Sequence, residues 1–270
     1  MRTSTSSTDL ATDLPTDPST DSRLLRVALP AVFWLAVWWG LAAWIDQELL
    51  VPSPAAVAGR LAELAMTMHF WHSVGISLLR IFCGAAAGVV LGSLCAVLTC
   101  RCRTADRLLS PAIRVIRATP VASFIILVLL WVPTGTVPGV ISALMVLPIM
   151  WESVAAGIRA ADPMLLEFAR AYRLSRRRTL RHVWLPAVLP LFGAGICNAI
   201  GLAWKSGVAA EVLCLPKAAI GTEVFYAKIY LETPSLFAWS IMVIVLSLLL
   251  EHLIRRLLAA EPTVRGGRRI

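Results

Sequence analysis

Six long apolar runs constrain this chain more than any other feature of its sequence. They lie at residues 24–45, 78–100, 111–132, 137–156, 188–212 and 236–258. A helix that crosses a bilayer needs about 20 predominantly apolar residues, with a range of roughly 17–25. The chain is 58% hydrophobic and only 15% charged, whereas soluble domains are about 25% charged. The sequence therefore predicts an all-α integral membrane protein with six transmembrane helices.

The positions of the basic residues predict how these spans are oriented. Cytoplasmic segments of membrane proteins are enriched in Lys and Arg. With the N-terminus inside, 20 of the 25 basic residues lie in cytoplasmic segments, and only Arg60, Lys217 and Lys228 lie outside. We therefore predict that both termini are cytoplasmic. The net charge of +9 would suggest a nucleic-acid partner in a soluble protein. Here the basic residues flank apolar spans, so we interpret them as orientation signals.

The segments outside the spans differ in composition. Residues 1–22 are rich in Ser, Thr, Asp and Pro without apolar periodicity, and they are predicted to form a disordered tail. Residues 23–260 are predicted to form the transmembrane domain, and residues 261–270 a basic cytoplasmic tail. An external surface helix is predicted within residues 46–73. A re-entrant or surface helix on the same side is predicted within residues 215–234.

The longest polar interruption, residues 157–188, lies between the fourth and fifth spans and is rich in arginine. Asp162 suits the N-cap of a helix, and Pro163 suits its first turn, where a missing N–H is tolerated. Ser175 suits the N-cap of a second helix. The pattern predicts a cytoplasmic helix-turn-helix. Held between two spans, such an element is typical of a docking site for a soluble partner.

The same segment resembles the Glu-Ala-Ala loop of bacterial ABC-importer permeases. That motif continues with three residues, a Gly and, about nine residues later, an apolar residue followed by Pro. Here the corresponding residues are Glu167-Phe168-Ala169, then Arg173, then Leu185-Pro186. Arg117-Ala118-Thr119-Pro120-Val121 resembles the beginning of the third span in nitrate, sulfonate and taurine permeases. Residues 201–211 resemble their fifth span.

The resemblance implies a fold, a set of partners and a location. The chain would be the transmembrane subunit of an ABC importer in the bacterial plasma (inner) membrane. It would work as a dimer, with a second permease copy and with two copies of a cytoplasmic ATPase. An extracytoplasmic binding protein would deliver the solute, and membrane lipid would surround the spans. The residues implied for coupling to the ATPase are Glu167, Phe168, Ala169, Tyr172, Arg173 and Ser175.

Two residues depart from the family pattern. Phe168 replaces the first Ala of the motif, and Arg173 replaces its Gly. Glycine adopts positive φ without a steric penalty, so an arginine there either adopts that conformation at a cost or changes the turn. The angle between the two short helices is therefore open. The docking role depends less on this position, because Glu167 and Ala169 keep their places.

Two charged residues lie within the fifth apolar span, Lys205 and Glu211. A charge inside the membrane costs roughly 2.5–3.5 kcal/mol on insertion scales unless it faces a cavity or a partner. The two are separated by about 120° around a helix, so they do not pair within it. They either line the pathway or make structural pairs elsewhere. The neighbouring Trp204 either contributes a cation–π contact or packs in the core.

No sequence pattern indicates a catalytic or metal site. The chain contains no Gly-Lys pair, so it lacks a phosphate-binding Walker A loop, and the energy source must lie on another chain. The six cysteines form no Cys-x-x-Cys motif and are interpreted as packing residues. Gly84, Gly88 and Gly92 recur every four residues on the second span, which predicts a ridge for close helix packing. We therefore expect no enzyme activity, cofactor or bound metal.

Three other functions remain as alternatives. An ion-coupled secondary transporter would need more intramembrane acidic residues or inverted repeats with broken helices. A membrane enzyme would need clustered His, Asp or Glu, and a scaffold would need no flux. The solute is also open: it is a nitrate-, sulfonate- or taurine-like anion, or a related nutrient such as a thiamine precursor.

Overall fold

A computed structural model describes the backbone of residues 20–259 and the side-chain exposure of residues 29–257. Helices α1 to α11 span Thr20–Ile45, Pro54–Ala65, Met68–Arg101, Arg103–Ala118, Val121–Leu129, Val137–Arg159, Pro163–Ala171, Arg176–Thr179, Leu185–Cys214, Ile220–Ile229 and Thr233–Ala259. A π-helical turn, Leu180–Trp184, joins α8 to α9. No strand occurs in this described part of the chain, and the predicted all-α fold is confirmed. Most of the predicted tail 1–22, and all of 261–270, lies outside the described residues.

Four helical segments are long and apolar enough to cross a membrane. They are Met68–Arg101, Val137–Arg159, Arg176–Cys214 and Thr233–Leu257. The bent pair α4 and α5 makes a fifth if it is counted as one span, and Leu29–Ile45 is a shorter apolar helix. A multi-pass membrane protein is therefore confirmed. Four or five spans satisfy this criterion, so the predicted number of six stays a prediction.

The third predicted span, residues 111–132, contains a sharp bend between two helices, and it stays a prediction that they cross the membrane as one span. α4 ends at Ala118, α5 begins at Val121, and their axes differ by 107°. The break follows from Pro120, which lacks an N–H and forces the preceding residue out of the helical region. Thr119 is accordingly extended, with φ −81° and ψ 132°. Four arginines share one face of α4: Arg103, Arg107, Arg114 and Arg117.

The two short helices predicted outside the spans are present. α2 lies within the predicted segment 46–73, but α3 begins at Met68, ten residues before the predicted span. α10 lies within the predicted segment 215–234. By contacts, the chain divides into residues 1–54 and 55–270. In the first unit, the Trp38 indole N–H donates to the Pro52 carbonyl at 3.2 Å.

Helices α3, α6 and α9 form the centre of the second unit. Its largest fully buried side chains include Trp204, Phe70, Ile81 and Met150. The glycines of α3 lie directly against the backbone of α6: a Cβ on Gly84, Gly88 or Gly92 would come within 2.0, 2.6 and 2.5 Å of the carbonyl oxygens of Gly139, Ala143 and Leu147. The predicted packing ridge is confirmed. Because the contacts keep the same order along both helices, α3 and α6 run parallel.

The third central helix, α9, runs in the opposite direction. Gly157 of α6 lies against Val188, near the start of α9. Gly207, near the end of α9, lies against Ile81 and Ser142. These contacts define two ends of the bundle. The α7 end holds the C-termini of α3 and α6, and the α10 end holds the C-terminus of α9.

Candidate functional site

Of the helix-turn-helix predicted between the fourth and fifth spans, the first helix and the turn are present as α7 and the residues after it. The second helix is not separate, because α8 continues through the π-helical turn into α9. The Asp162 carboxylate accepts a hydrogen bond from the Met164 N–H at 2.8 Å, and Pro163 is the first residue of α7. This N-cap is confirmed, and it satisfies one of the free amides of the first turn. Ser175 occupies the N-cap position of α8, but its side chain makes no capping hydrogen bond. The second predicted cap is therefore correct in position only.

The turn after α7 keeps the conformation that glycine would favour. The Leu174 N–H donates to the Ala169 carbonyl at 2.9 Å, and the Arg173 N–H donates to the Arg170 carbonyl at 3.1 Å. This pair of bonds is the Schellman motif, in which the residue after the cap is left-handed. Arg173 fills that position with a φ of 50°. The arginine thus preserves the turn and bears the strain of a side chain at positive φ.

Arg173→Gly is expected to stabilise the turn without changing its geometry. A left-handed conformation costs a non-glycine residue roughly 1–2 kcal/mol, and the greater freedom of glycine in the unfolded chain offsets part of this. We expect a gain of about 0.5–1 kcal/mol in the stability of the α7–α8 segment. Limited proteolysis of this segment measures it, with Arg173→Ala as the control that keeps a Cβ. Faster cleavage of the glycine variant than of the alanine variant would contradict the assigned strain.

The segment of α7 exposes several large apolar side chains. Their exposure does not contribute to the folding of the segment itself. Met164, Leu165, Phe168 and Tyr172 are 77%, 49%, 54% and 68% exposed, and we call these four residues the α7 apolar surface. The rings of Phe168 and Tyr172 are held together, with centroids 4.2 Å apart. An exposed apolar patch of this kind marks an interaction surface.

The remaining predicted coupling residues lie around this surface. Glu167 and Arg173 are exposed, and so is Ser175. Ala169 is only 4% exposed and lies roughly 90° around α7 from the centre of this surface. Its small side chain therefore packs against this chain rather than lying on the free surface. Helix α7 therefore carries an exposed apolar surface beside one small buried residue.

A second group of functional candidates lies at the α10 end, around Glu211. Its side chain is completely buried. One carboxylate oxygen accepts from the Ser77 hydroxyl at 2.9 Å and from the Gly221 N–H at 3.2 Å. The other accepts from the Arg80 guanidinium at 3.2 Å. Three segments of the bundle, α3, α9 and the start of α10, therefore meet at one carboxylate.

The loop between α9 and α10 is held by the same network. The Ser77 hydroxyl accepts from the Ile220 N–H at 3.0 Å, and Arg80 also donates to the Lys217 carbonyl at 3.4 Å. Gly221 allows the close approach, because a Cβ there would come within 2.5 Å of the Glu211 Cβ. Leu215, which precedes this loop, has a left-handed φ of 50°. Such a backbone persists only when its surroundings hold it in place.

The three residues proposed for the pathway occupy different environments. Trp204 is 1% exposed, and its indole N–H donates to the Val243 carbonyl at 3.1 Å, so it packs in the core. Lys205 is exposed and makes no ion pair with any residue between 29 and 257. Glu211 is paired structurally through Arg80. The structure therefore does not bring these three side chains together.

Sequence reasoning missed the partners of Glu211. Arg80 lies within the predicted span 78–100, and a charge inside a span requires a partner. The available signal was that one span contains an arginine and another contains a glutamate, each of which needs a partner of opposite charge. Ser77 carried no signal, because a buried serine in an apolar span does not stand out.

The α10 end also carries an exposed network of charged residues. Arg60 of α2 donates to the Ser235 hydroxyl at 2.9 Å and lies 3.6 Å from Glu232 and 2.9 Å from Glu63. Arg60, Glu232 and Ser235 border a cavity of about 360 Å³ between α2, α10 and α11. Among the described residues, no group of three His, Cys, Asp or Glu side chains could hold a metal ion.

Comparison with known proteins places these features in a family. Residues 88–260 match the family described as binding-protein-dependent transport system inner membrane component. The putative aliphatic sulfonates transport permease protein SsuC of Escherichia coli (strain K12) is 32% identical over 216 residues, covering 78% of this chain and 81% of that protein. The taurine transport system permease protein TauC of the same organism is 26% identical, covering 83% of each chain.

A solved structure has a similar fold. The crystal structure of an amino acid ABC transporter with histidines aligns with a TM-score of 0.55 and 22% identity. It covers 68% of this chain and 87% of that one. The chain is a membrane-embedded ABC-transporter permease related to the sulfonate and taurine permeases, and it belongs to the family of binding-protein-dependent transport system inner membrane components.

Proposed function

We propose that the chain forms the translocation pathway of an ATP-driven importer for a small solute, a sulfonate- or taurine-like anion or a related nutrient. The names of its relatives SsuC and TauC support this class of solute. The observation that carries the ATP-driven mechanism is the α7 apolar surface, which is exposed on the short helix that follows α6. The chain itself has no Walker A loop, so the proposed energy source is a partner ATPase.

The ATPase dimer is proposed to dock on the α7 apolar surface. Phe168 and Tyr172 are aromatic anchors of the kind that dominate binding energy at interfaces. Glu167, beside them, offers a polar contact at the rim. Arg176, Arg177 and Arg178 are exposed at the start of the next helix and suit either an acidic ATPase surface or anionic lipid.

Motion at α7 has a direct structural route to the opposite end of the bundle. The segment Arg176–Cys214 is a single candidate span of 39 residues. It begins just after the docking turn and ends three residues beyond Glu211. A displacement of α7 would therefore act through this helix on Glu211, and through Glu211 on Arg80 and the start of α10. We infer that α10 and its loop respond to ATP binding as an outer gate.

The α10 end is proposed to face outward and to receive an extracytoplasmic binding protein. Arg60 and Glu232 offer charged groups of both signs at the border of a cavity, and Glu63 pairs with Arg60 beside it. Complementary charges at such surfaces fix the register of a partner and speed its encounter. This orientation places both termini in the cytoplasm, with residues 1–22 as a disordered tail and 261–270 as a basic tail.

A second permease copy is proposed to complete the pathway. The relatives SsuC and TauC are permeases, and among soluble homo-oligomers the twofold dimer is the commonest arrangement. Helices α4, α5 and α11 expose many apolar side chains, including Leu108, Ile126 and Leu248. Lipid covers those that the second copy leaves free.

Capture of the ATPase tests the proposal. The detergent-solubilised chain is mixed with its candidate ATPase, and the recovered complex is compared for wild type and for Phe168→Asp with Tyr172→Asp. We expect the double variant to lose binding at least a hundredfold, because two desolvated aromatic anchors become charged. Tyr230→Asp is the matched control, since Tyr230 is 70% exposed at the α10 end. If wild type captures no ATPase, or the double variant captures it equally, the α7 docking proposal fails.

A further inference from the structure

A polar cavity between α4 and α6 is not explained by the docking surface or by the Glu211 network. Its volume is about 490 Å³, within the range of about 300–1,000 Å³ that small-molecule sites occupy. It lies towards the α7 end, where α6 finishes. Five charged side chains line it: Asp106, Arg114, Arg117, Glu152 and Arg159. Three positive and two negative groups leave the cavity with a net positive charge.

The acidic groups of this cavity are already engaged. Asp106 accepts a hydrogen bond from Ser110, and Glu152 pairs with Arg117 across the two helices. Arg114 and Arg159, by contrast, make no ion pair or side-chain hydrogen bond within the described part of the chain. Two guanidinium groups therefore border this cavity, and neither of them is paired with a carboxylate. The planar donors of a guanidinium match the oxygens of an oxyanion and often bind them in pairs.

One wall of the cavity is apolar. Trp151 lines it, and its indole N–H is already used by the Thr99 hydroxyl at 3.0 Å. The ring can therefore offer only its apolar faces. Ile113 and Pro148 extend this wall. A cavity with two free guanidinium groups and an aromatic wall suits a short molecule that carries one oxyanion head and a small hydrocarbon body.

We propose that the α4–α6 cavity is a binding site for a small organic oxyanion, with Arg114 and Arg159 holding a sulfonate head and Trp151 contacting its carbon chain. The proposal rests on the proposed function and names the class of solute that this pathway carries. Arg117 is a third potential donor to the anion, but in this structure it is paired with Glu152. Since the site lies beside the end of α6, the solute would occupy it after passing the Glu211 network and before release at the α7 end.

Direct binding to the purified chain tests the site without ATP or ATPase. Radiolabelled butanesulfonate is dialysed to equilibrium against the chain in detergent free of anionic lipid. We expect saturable binding that butylammonium, a cation of similar size, does not displace. Arg114→Gln with Arg159→Gln is expected to weaken binding roughly a hundredfold, because each charge-assisted contact is worth about tenfold or more. Arg101→Gln with Arg256→Gln, which removes two exposed arginines elsewhere, is the matched control and is expected to bind as wild type.

A second variant tests the site independently in case the Arg114→Gln, Arg159→Gln double variant folds poorly. Glu152→Gln removes the competing carboxylate from Arg117, and we expect it to bind butanesulfonate severalfold more tightly than wild type. Equal binding by wild type and the Arg114–Arg159 variant, or no gain in Glu152→Gln, would overturn the site. A chain that retains phosphatidylglycerol but never butanesulfonate would overturn the assigned solute class, because a lipid head would then be the oxyanion. If sulfonate binds but no ATPase is captured, the proposed function fails while this site stands.

Discussion

Replacing Glu211 with Ala is expected to lower the free energy of unfolding by about 3–5 kcal/mol, since it breaks a buried charged pair by removing one partner. Arg80, whose side chain is only 16% exposed, loses its counter-ion. The Gly221 N–H also loses its acceptor in a buried site. The start of α10 then keeps the hydrogen bond from the Ile220 N–H to Ser77 but loses its bond to the carboxylate. Thermal or denaturant unfolding of the purified chain, followed by loss of monodisperse protein, measures the effect.

Two further variants distinguish the effect of losing the buried pair from the effect of losing an ordinary surface pair. Glu251→Ala removes the exposed partner of Arg255 on α11 and is expected to cost less than about 1 kcal/mol. Arg80→Met combined with Glu211→Met leaves no unpaired charge, and it is expected to recover most of the stability lost by Glu211→Ala. If the single and double variants were equally unstable, the Arg80 pairing would not be the cause. A Glu211→Ala variant as stable as Glu251→Ala would contradict the assigned network.

The second large effect is expected at the contact between α3 and α6. Gly84→Ala would place a Cβ 2.0 Å from the Gly139 carbonyl oxygen, and this obstruction is backbone that no side-chain rotation can move. Helices α3 and α6 must then move apart, and the close contacts along the ridge of Gly84, Gly88 and Gly92 are lost. Overpacking typically costs about 1–3 kcal/mol, and we expect this variant to reach or exceed the upper value. The same unfolding measurement quantifies it.

The same helix supplies the control for this prediction. Gly75 lies on α3 as well, but a Cβ there would meet no atom within 4 Å. Gly75→Ala is therefore expected to be neutral or to stabilise the chain by about 0.5–1 kcal/mol, because alanine is the better helix former. Equal losses in the two variants would show that the substitution acts through helix propensity rather than through close packing.

The parts of the fold that the sequence predicted well are those set by local chemistry. The Asp162 cap depends on a side chain and an amide two residues apart, and the pattern of Asp followed by Pro indicates it directly. The recurrence of Gly84, Gly88 and Gly92 likewise marks one face of one helix. The motif around Glu167 marked the segment that we propose for docking. Its exposed apolar side chains were not predicted, because exposure depends on how α7 lies against the bundle.

The parts that the sequence did not predict depend on contacts between distant segments. Lys205 and Glu211 were correctly judged unable to pair within one helix, but the true partner, Arg80, is 131 residues away in sequence. Its identity follows from the register between α3 and α9, which apolar periodicity does not define. The break before Pro120 had a local signal, yet the apolar run across it was interpreted as one continuous span. The run is long enough to span, and only the backbone restriction at Thr119 reveals the bend.

In the proposed mechanism, the network at Glu211 and the docking surface at α7 act at opposite ends of one helix. The first fixes α10, the second exposes aromatic side chains to a partner, and the segment from Arg176 to Cys214 connects them. The arginines of the α4–α6 cavity lie beside this route. An importer of this design needs an ATPase at one end and a gate at the other, and the same helix serves both.

The central claim is that ATP on a partner chain drives solute through this permease. Uptake of radiolabelled taurine or butanesulfonate by proteoliposomes that contain the chain, its ATPase and its binding protein tests it most directly. We predict uptake that requires ATP, stops when the Walker A lysine of the ATPase is replaced, and persists when ionophores abolish ion gradients. Uptake by the chain alone, driven by a proton or sodium gradient and indifferent to ATP, would contradict the account and establish a secondary transporter instead.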